Sequence, residues 1–258
     1  SIYWQTYPEK NDFEFIKNYF NLDKDYDLAI QKIQIDQQTI AAIKKYPGLR
    51  VLNQDFHQTL FSFLLAQNKN IKAIRQSLNI LRKLYGHLVE IQLADSKIQV
   101  LTFPSLEFFH QITLEQLSDA KVGYRAKYIK HAAEILSDQK FPDFSHLKVL
   151  SPLLLRRGQG SVFLDEHQTR SQLLQIHGIG NKVADCIMTF SLGFDNITPI
   201  DVWGDRIVRD LYKNYKSKSY EQKRKWFTKK FGGNTDLAGQ FLFEYIRNYN
   251  PEDYINIK

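Results

Sequence analysis

Lys182 stands in the stretch Leu174-Gln175-Ile176-His177-Gly178-Ile179-Gly180-Asn181-Lys182-Val183-Ala184-Asp185-Cys186, and Pro199-Ile200-Asp201 places a carboxylate nineteen residues after the amine. A lysine amine attacks electrophilic carbon and forms Schiff bases, and a carboxylate held nearby stabilises positive charge that develops on that carbon. Only the neutral amine attacks. With a reference pKa of about 10.4, a lysine has very little neutral amine at physiological pH unless burial or a helix dipole favours it, and a carboxylate works in the opposite sense. Asp201 is therefore expected to stabilise charge and take part in proton transfer rather than to activate the amine. As a purely structural residue it would cap a helix over 202–211, and the two roles are compatible.

The elements that would hold these groups follow from the pattern around them. Leu173, Leu174 and Ile176 close one apolar periodic run, Gly-Ile-Gly supplies a tight turn, and Val183, Ala184, Ile187 and Phe190 open another helix. Lys182 thus falls in a first helical turn. Backbone N–H groups there lack intrahelical partners and carry the positive end of the dipole, which makes the hairpin a seat for a phosphate such as that of a DNA backbone. His177, Gly178, Gly180 and Val183 are its candidate contacts. An ordinary αα-hairpin with a surface lysine would share the glycines but has no need of the downstream Pro-x-Asp. Cys186 lies one turn after Lys182 on the same face, where a lone cysteine is by default a small buried hydrophobe.

Composition bounds the rest. The chain has 258 residues, 43% hydrophobic and 14% aromatic, enough for a sizeable core, and a net charge of +7 that suits a polyanion. A single cysteine excludes an internal disulfide and any four-cysteine iron–sulfur or zinc site. The histidines form no His-x-x-x-His pair, so no metal is expected. The basic run from Lys213 to Lys230 reads as a solvated helix face rather than a groove. Periodicity is helical nearly throughout, giving an all-α expectation, with Ile2–Tyr7 as the only strand candidate. No apolar run reaches membrane length and no signal peptide is visible, so the expectation is a soluble, intracellular protein without a membrane partner.

Further motifs occur in order: Leu60-Phe61-Ser62-Phe63-Leu64-Leu65-Ala66-Gln67-Asn68-Lys69-Asn70-Ile71, Phe103-Pro104-Ser105-Leu106 and Gly123-Tyr124-Arg125-Ala126-Lys127-Tyr128. With the hairpin and Pro-x-Asp, they make the chain resemble the helix-hairpin-helix (HhH-GPD) DNA glycosylases, in their 8-oxoguanine glycosylase/lyase branch, over about residues 50 to 250. The match is poorest from about 139 to 165. The single cysteine separates the chain from the endonuclease III branch.

The resemblance implies a two-lobed helical fold with a DNA cleft between the lobes. Residues 51–180 would form the central lobe, residues 1–50 and 181–258 the terminal lobe, and the hairpin at about 166–192 would lie at the junction. It implies base-excision repair of duplex DNA by a monomer that extrudes an oxidised purine, 8-oxoguanine opposite cytosine. Lys182 would attack C1′ and form a Schiff base, β-elimination would nick the strand, and Asp201 would stabilise the sugar cation. Cys186 and Phe243 would flank the extruded base, with Trp203 completing the pocket. Asn68 would fill the vacated space, Tyr124 would wedge beside it, Arg125 would bond the orphaned partner base, and Asn70 would contact DNA from the same turn. A monovalent cation held by hairpin carbonyls would be the one bound ion. The branch usually begins with a β-rich domain, of which Ser1–Tyr7 resembles at most the final strand.

Several positions depart from the branch. Ile176-His177-Gly178 replaces Leu-Pro-Gly, Trp203 replaces a histidine, Ala73 replaces a second arginine, and Gly239 replaces the glutamine that bonds the flipped base. These leave two other expectations open: a glycosylase for alkylated or other damaged bases, and a non-catalytic hairpin module that only binds DNA.

Overall fold

The computed structural model describes residues 13–93, 96–144, 165–216 and 218–248. In chain order the elements are α1 (Phe13–Tyr19), α2 (Tyr26–Ile33), α3 (Gln37–Lys45), α4 (Phe56–Ala66), α5 (Ile71–Tyr85), β1 (Leu88–Gln92), β2 (Lys97–Leu101), α6 (Leu106–Gln111), α7 (Leu114–Asp119), α8 (Ala126–Ser137), α9 (Glu166–Leu173), α10 (Asn181–Phe190), α11 (Val202–Arg206), α12 (Tyr220–Phe231) and α13 (Thr235–Arg247). The fold is helical, as the periodicity predicts. Short polar residues start the helices: Asp25, Asp55, Asn70 and Ser105 each accept a first-turn N–H, and Asp36, Thr113 and Ser219 build reciprocal capping boxes. Among the described residues no helix is long and apolar enough to cross a membrane.

The described chain divides into two compact units. Residues 13–16, those within 55–144, and 172–179 form the first; residues 17–54, 165–171 and 180–248 form the second, so the division passes between Ile179 and Gly180. In the first unit α8 packs on α4, α6 and α7, burying Leu60, Leu64, Ile129 and Ala133 completely, with Phe61 stacked on Phe109 at 4.2 Å between ring centroids. In the second, α13 packs on α3, α11 and α12 around fully buried Ala42, Val208, Leu237, Phe241 and Leu242.

Two expectations need correction. The strand candidate Ile2–Tyr7 lies outside the described residues, whereas β1 and β2 form an antiparallel hairpin with Leu88 opposite Leu101 and Gln92 opposite Lys97. Leu-Val-Glu-Ile-Gln and Lys-Ile-Gln-Val-Leu alternate with period two, but over five residues each that signal is hidden among flanking helical runs. The basic run is also not simply a solvated face. Lys223 pairs with Asp205 at 2.6 Å, Lys230 with Asp36 at 2.8 Å, and Arg224 turns inward to Glu166 and Asp185.

Candidate active site

The amine, the thiol and the carboxylate singled out by spacing all lie in the second unit. Gly180 is the extended N-cap of α10, its carbonyl accepting from Ala184 N at 2.9 Å, and Lys182 lies half-buried in the first turn. Cys186, one turn on, is only 2% exposed. Burial pushes its thiol up to about 11; the Lys182 ammonium, hydrogen-bonded to it, pulls downward, and the Asp201 carboxylate pushes up further. The sulfur is thus in contact with the Lys182 amine and within the field of the Asp201 carboxylate.

Asp201 does cap the following helix. Its Oδ1 accepts from Trp203 N and Gly204 N, each at 2.9 Å, and the helix runs on through Ile207–Leu211 as a widened π turn. The cap orients the carboxylate while one oxygen takes both donors. Just beyond, the half-buried rings of Trp203 and Phe243 meet edge to face at 6.5 Å, with Arg206 over the first and Arg247 over the second. The structure therefore brings the two aromatic pocket candidates together. Gly239, by contrast, faces packing rather than a pocket: a Cβ there would stand 2.6 Å from Thr198 Cγ2, so any side chain is excluded by the loop leading to Pro199.

The remaining candidates lie in the first unit. Asn68, in the left-handed region at φ 51°, donates through Nδ2 to the Tyr124 hydroxyl at 3.0 Å. Tyr124 is 50% exposed and meets Tyr128 edge-on at 5.7 Å. Asn70 serves as the α5 N-cap, accepting from Ala73 N at 2.9 Å. Arg125 is turned inward at 6% exposure: Nε and Nη2 donate to the Gln67 carbonyl, Nη1 to the Val122 carbonyl at 3.3 Å, and the guanidinium lies 4.4 Å from the Tyr124 ring centre. It braces the turn that presents Asn68, and contact with a partner base would require it to swing out.

The hairpin is held from the same side. Gln67 Nε2 donates to the Gly178 carbonyl at 2.8 Å, and the His177 N–H donates to His131 Nδ1 at 3.0 Å with the His177 ring 5.0 Å from Tyr128. The His177 amide is thus engaged inside the protein. Gly178 sits at φ +93°, and a Cβ there would be 2.6 Å from the Tyr128 ring. Gln67, Tyr128 and His131 are supporting residues that spacing did not single out. The first two lie inside motifs already noted, whereas His131 carries no signal beyond α8 periodicity. Among the described residues no group of three or more His, Cys, Asp or Glu side chains is placed to hold a metal.

Residues 61–232 match the HhH-GPD superfamily base excision DNA repair protein family, and residues 2–60 match the 8-oxoguanine DNA glycosylase N-terminal domain. The chain is 28% identical over 207 residues to the N-glycosylase/DNA lyase of Saccharomyces cerevisiae, an alignment covering 80% of this chain and 53% of the yeast protein, so it spans about half that relative's length. Its fold is similar to that of MBOgg1 in complex with a low-affinity DNA ligand, with a TM-score of 0.75 at 30% identity, covering 92% of this chain and 75% of the other. It is also similar to the apo form of the Clostridium acetobutylicum 8-oxoguanine glycosylase/lyase, with a TM-score of 0.74 at 25% identity, covering 92% and 76%. With the family match running over two-thirds of its length, this chain belongs to the HhH-GPD superfamily of base excision DNA repair proteins.

Proposed function

We propose that the protein is a bifunctional DNA glycosylase and abasic-site lyase that removes an oxidised purine, 8-oxoguanine opposite cytosine, from duplex DNA. The observation that carries this reading is Lys182 in the first turn of α10, hydrogen-bonded to the buried Cys186 one turn on, with the Asp201 carboxylate fixed as the cap of α11. The damaged base leaves the stack at a cost of about a few kcal/mol. Asn68 and Tyr124, already joined to each other, fill the gap, and Arg125 reaches the partner base by leaving its bonds to Gln67. Trp203 and Phe243 offer aromatic surface to the base, and Cys186 packs nearby as a neutral thiol. The neutral amine of Lys182 bonds to C1′ as the glycosidic bond breaks and the departing base takes a proton. Asp201 stabilises the cationic sugar. The ring then opens to a protonated imine, and loss of a C2′ proton expels the 3′ phosphate.

Gly178, Gly180 and Val183 would contact the phosphate backbone at the start of α10, whose N–H groups and dipole favour an anion. A monovalent cation at the hairpin would use carbonyls such as those of Ile176 and Gly178, which accept one protein N–H each and retain a second lone pair; no step depends on it. All these residues come from one chain, so a monomer suffices.

Borohydride reduction on a lesion-containing duplex tests the reading. The wild-type protein should give a covalent protein–DNA adduct and Lys182→Gln none. Absence of the adduct from wild type, or its persistence in the variant, overturns the proposal. Duplex affinity that ignores the lesion, without strand cleavage, would instead identify a binding module. The closure of Gly239 by Thr198 favours a second reading on the substrate alone, excision of alkylated or other damaged bases, because no side-chain amide can stand at that position. Excision rates across a lesion panel decide between them.

A further inference from the structure

Asp185 lies three residues after Lys182 on α10 and is fully buried. Its Oδ1 accepts from Arg170 Nη2, and its Oδ2 accepts from the Tyr220 hydroxyl at 2.5 Å. Arg224 Nε sits 3.4 Å from the same Oδ2, near enough for charge attraction but not aligned as a hydrogen bond. The Tyr220 oxygen in turn accepts the Ile200 N–H at 3.5 Å, and Ile200 immediately precedes Asp201. A single phenolic oxygen therefore joins the helix that carries Lys182 to the loop that carries Asp201. Burial holds that phenol well above its ordinary range, so it keeps its proton, donates to the carboxylate and accepts from the backbone. The bond to a charged partner is the stronger one; the long amide contact is the weaker and more easily lost. A second tie, from Thr189 Oγ1 to the Ile197 carbonyl at 3.2 Å, holds the loop further from Asp201.

We propose that Tyr220 is a positioning residue for the lyase chemistry, setting the distance between the Lys182 amine and the Asp201 carboxylate through the bridge from Asp185 to Ile200. It touches neither the substrate nor the reacting atoms, and the inference rests on the Schiff-base reading above. Removing the hydroxyl leaves both elements folded but lets the loop drift relative to α10. Such a drift slows bond formation at C1′ more than it weakens DNA binding, because binding draws on many contacts and attack on one alignment.

The test is Tyr220→Phe, which deletes one oxygen. Single-turnover excision at saturating protein, per active molecule counted by the borohydride-trapping endpoint, should fall about tenfold, within the range that small misplacements produce. Affinity for the lesion duplex should stay within about twofold, since the phosphate contacts that dominate affinity are untouched. Thr235→Val is the control: it removes a buried hydroxyl bonded to the Gly232 carbonyl at 2.5 Å, and should lower thermal stability without changing the rate per active molecule. A Tyr220→Phe rate per active molecule equal to wild type overturns the inference and leaves the lyase reading standing. A wild-type protein that forms no adduct overturns the reading and the inference with it.

Discussion

Asp201 caps α11, and the proposed chemistry gives it a second duty that can be tested apart from the first. Its Oδ1 accepts from both Trp203 N and Gly204 N, so replacement by alanine removes a helix cap as well as a charge. Asparagine is as good a cap as aspartate, while its amide carries no net charge to set against a sugar cation. Asp201→Asn should therefore keep thermal stability near wild type yet lower the excision rate by about two to three orders of magnitude, as loss of a preorganised electrostatic partner does. Asp201→Ala should lose about 1 kcal/mol of stability in addition. Thermal melts beside single-turnover assays check this, and an asparagine variant excising at the wild-type rate would leave Asp201 a cap and nothing more. The shared face of Lys182 and Cys186 was legible from helical spacing, and the cap at Asp201 from a Pro-x-Asp that announces a turn before a helix. The inward guanidinium of Arg125 was not, since a Tyr-Arg pair at a helix start carries no information about which carbonyl the side chain will find.

Among the elements, α13 shows why a glycine stands at position 239. The helix approaches the Thr198 loop so closely that a Cβ at Gly239 would meet Thr198 Cγ2 at 2.6 Å and Oγ1 at 2.7 Å. That threonine is also pinned, its hydroxyl donating to the Thr235 carbonyl, so it cannot rotate away without losing a buried bond. Gly239→Ala should therefore destabilise the second unit by about 1–3 kcal/mol despite alanine's better helix propensity, as overpacking does. The strain should also push the loop that carries Asp201, so activity should fall with stability. Equilibrium denaturation measures the first effect, and a variant more stable than wild type would refute the close approach. The caps of α3, α7 and α12 could be read from Asp36, Thr113 and Ser219 because a cap is local. The β1–β2 hairpin and the Gly239 contact could not, one because five alternating residues are too few to stand out from helical neighbours, the other because it joins residues 41 apart.

For the whole molecule, the net charge of +7 predicts affinity for a polyanion but says nothing about which charges the fold buries. Asp236, 4% exposed, is one of them: it pairs with Lys24 at 3.0 Å across 212 residues of sequence, a contact that no local pattern announces. Burial pushes its carboxyl up to about 6; Lys24 pulls it down by charge and hydrogen bond, and the Asp195 carboxylate, itself raised by burial, pushes it up again. A carboxyl raised on folding binds its proton more tightly in the native state than in the unfolded one, whose reference value is about 3.9. The stabilisation is therefore complete below about pH 4 and is lost as pH rises through about 6. Asp236→Asn replaces the carboxyl with a neutral isostere, removing this dependence and adding an offset from the lost Lys24 pair, so the slope rather than the offset carries the test. Measured by denaturation from pH 4 to 7.5, wild type should lose stability relative to the variant as pH rises, by at most about 1.4 kcal/mol per pH unit in that window. Parallel pH profiles would mean that Lys24 just offsets burial and leaves Asp236 at its unfolded value, while a wild type that gains on the variant with rising pH would mean that Lys24 outweighs burial and reverses the sign of the shift.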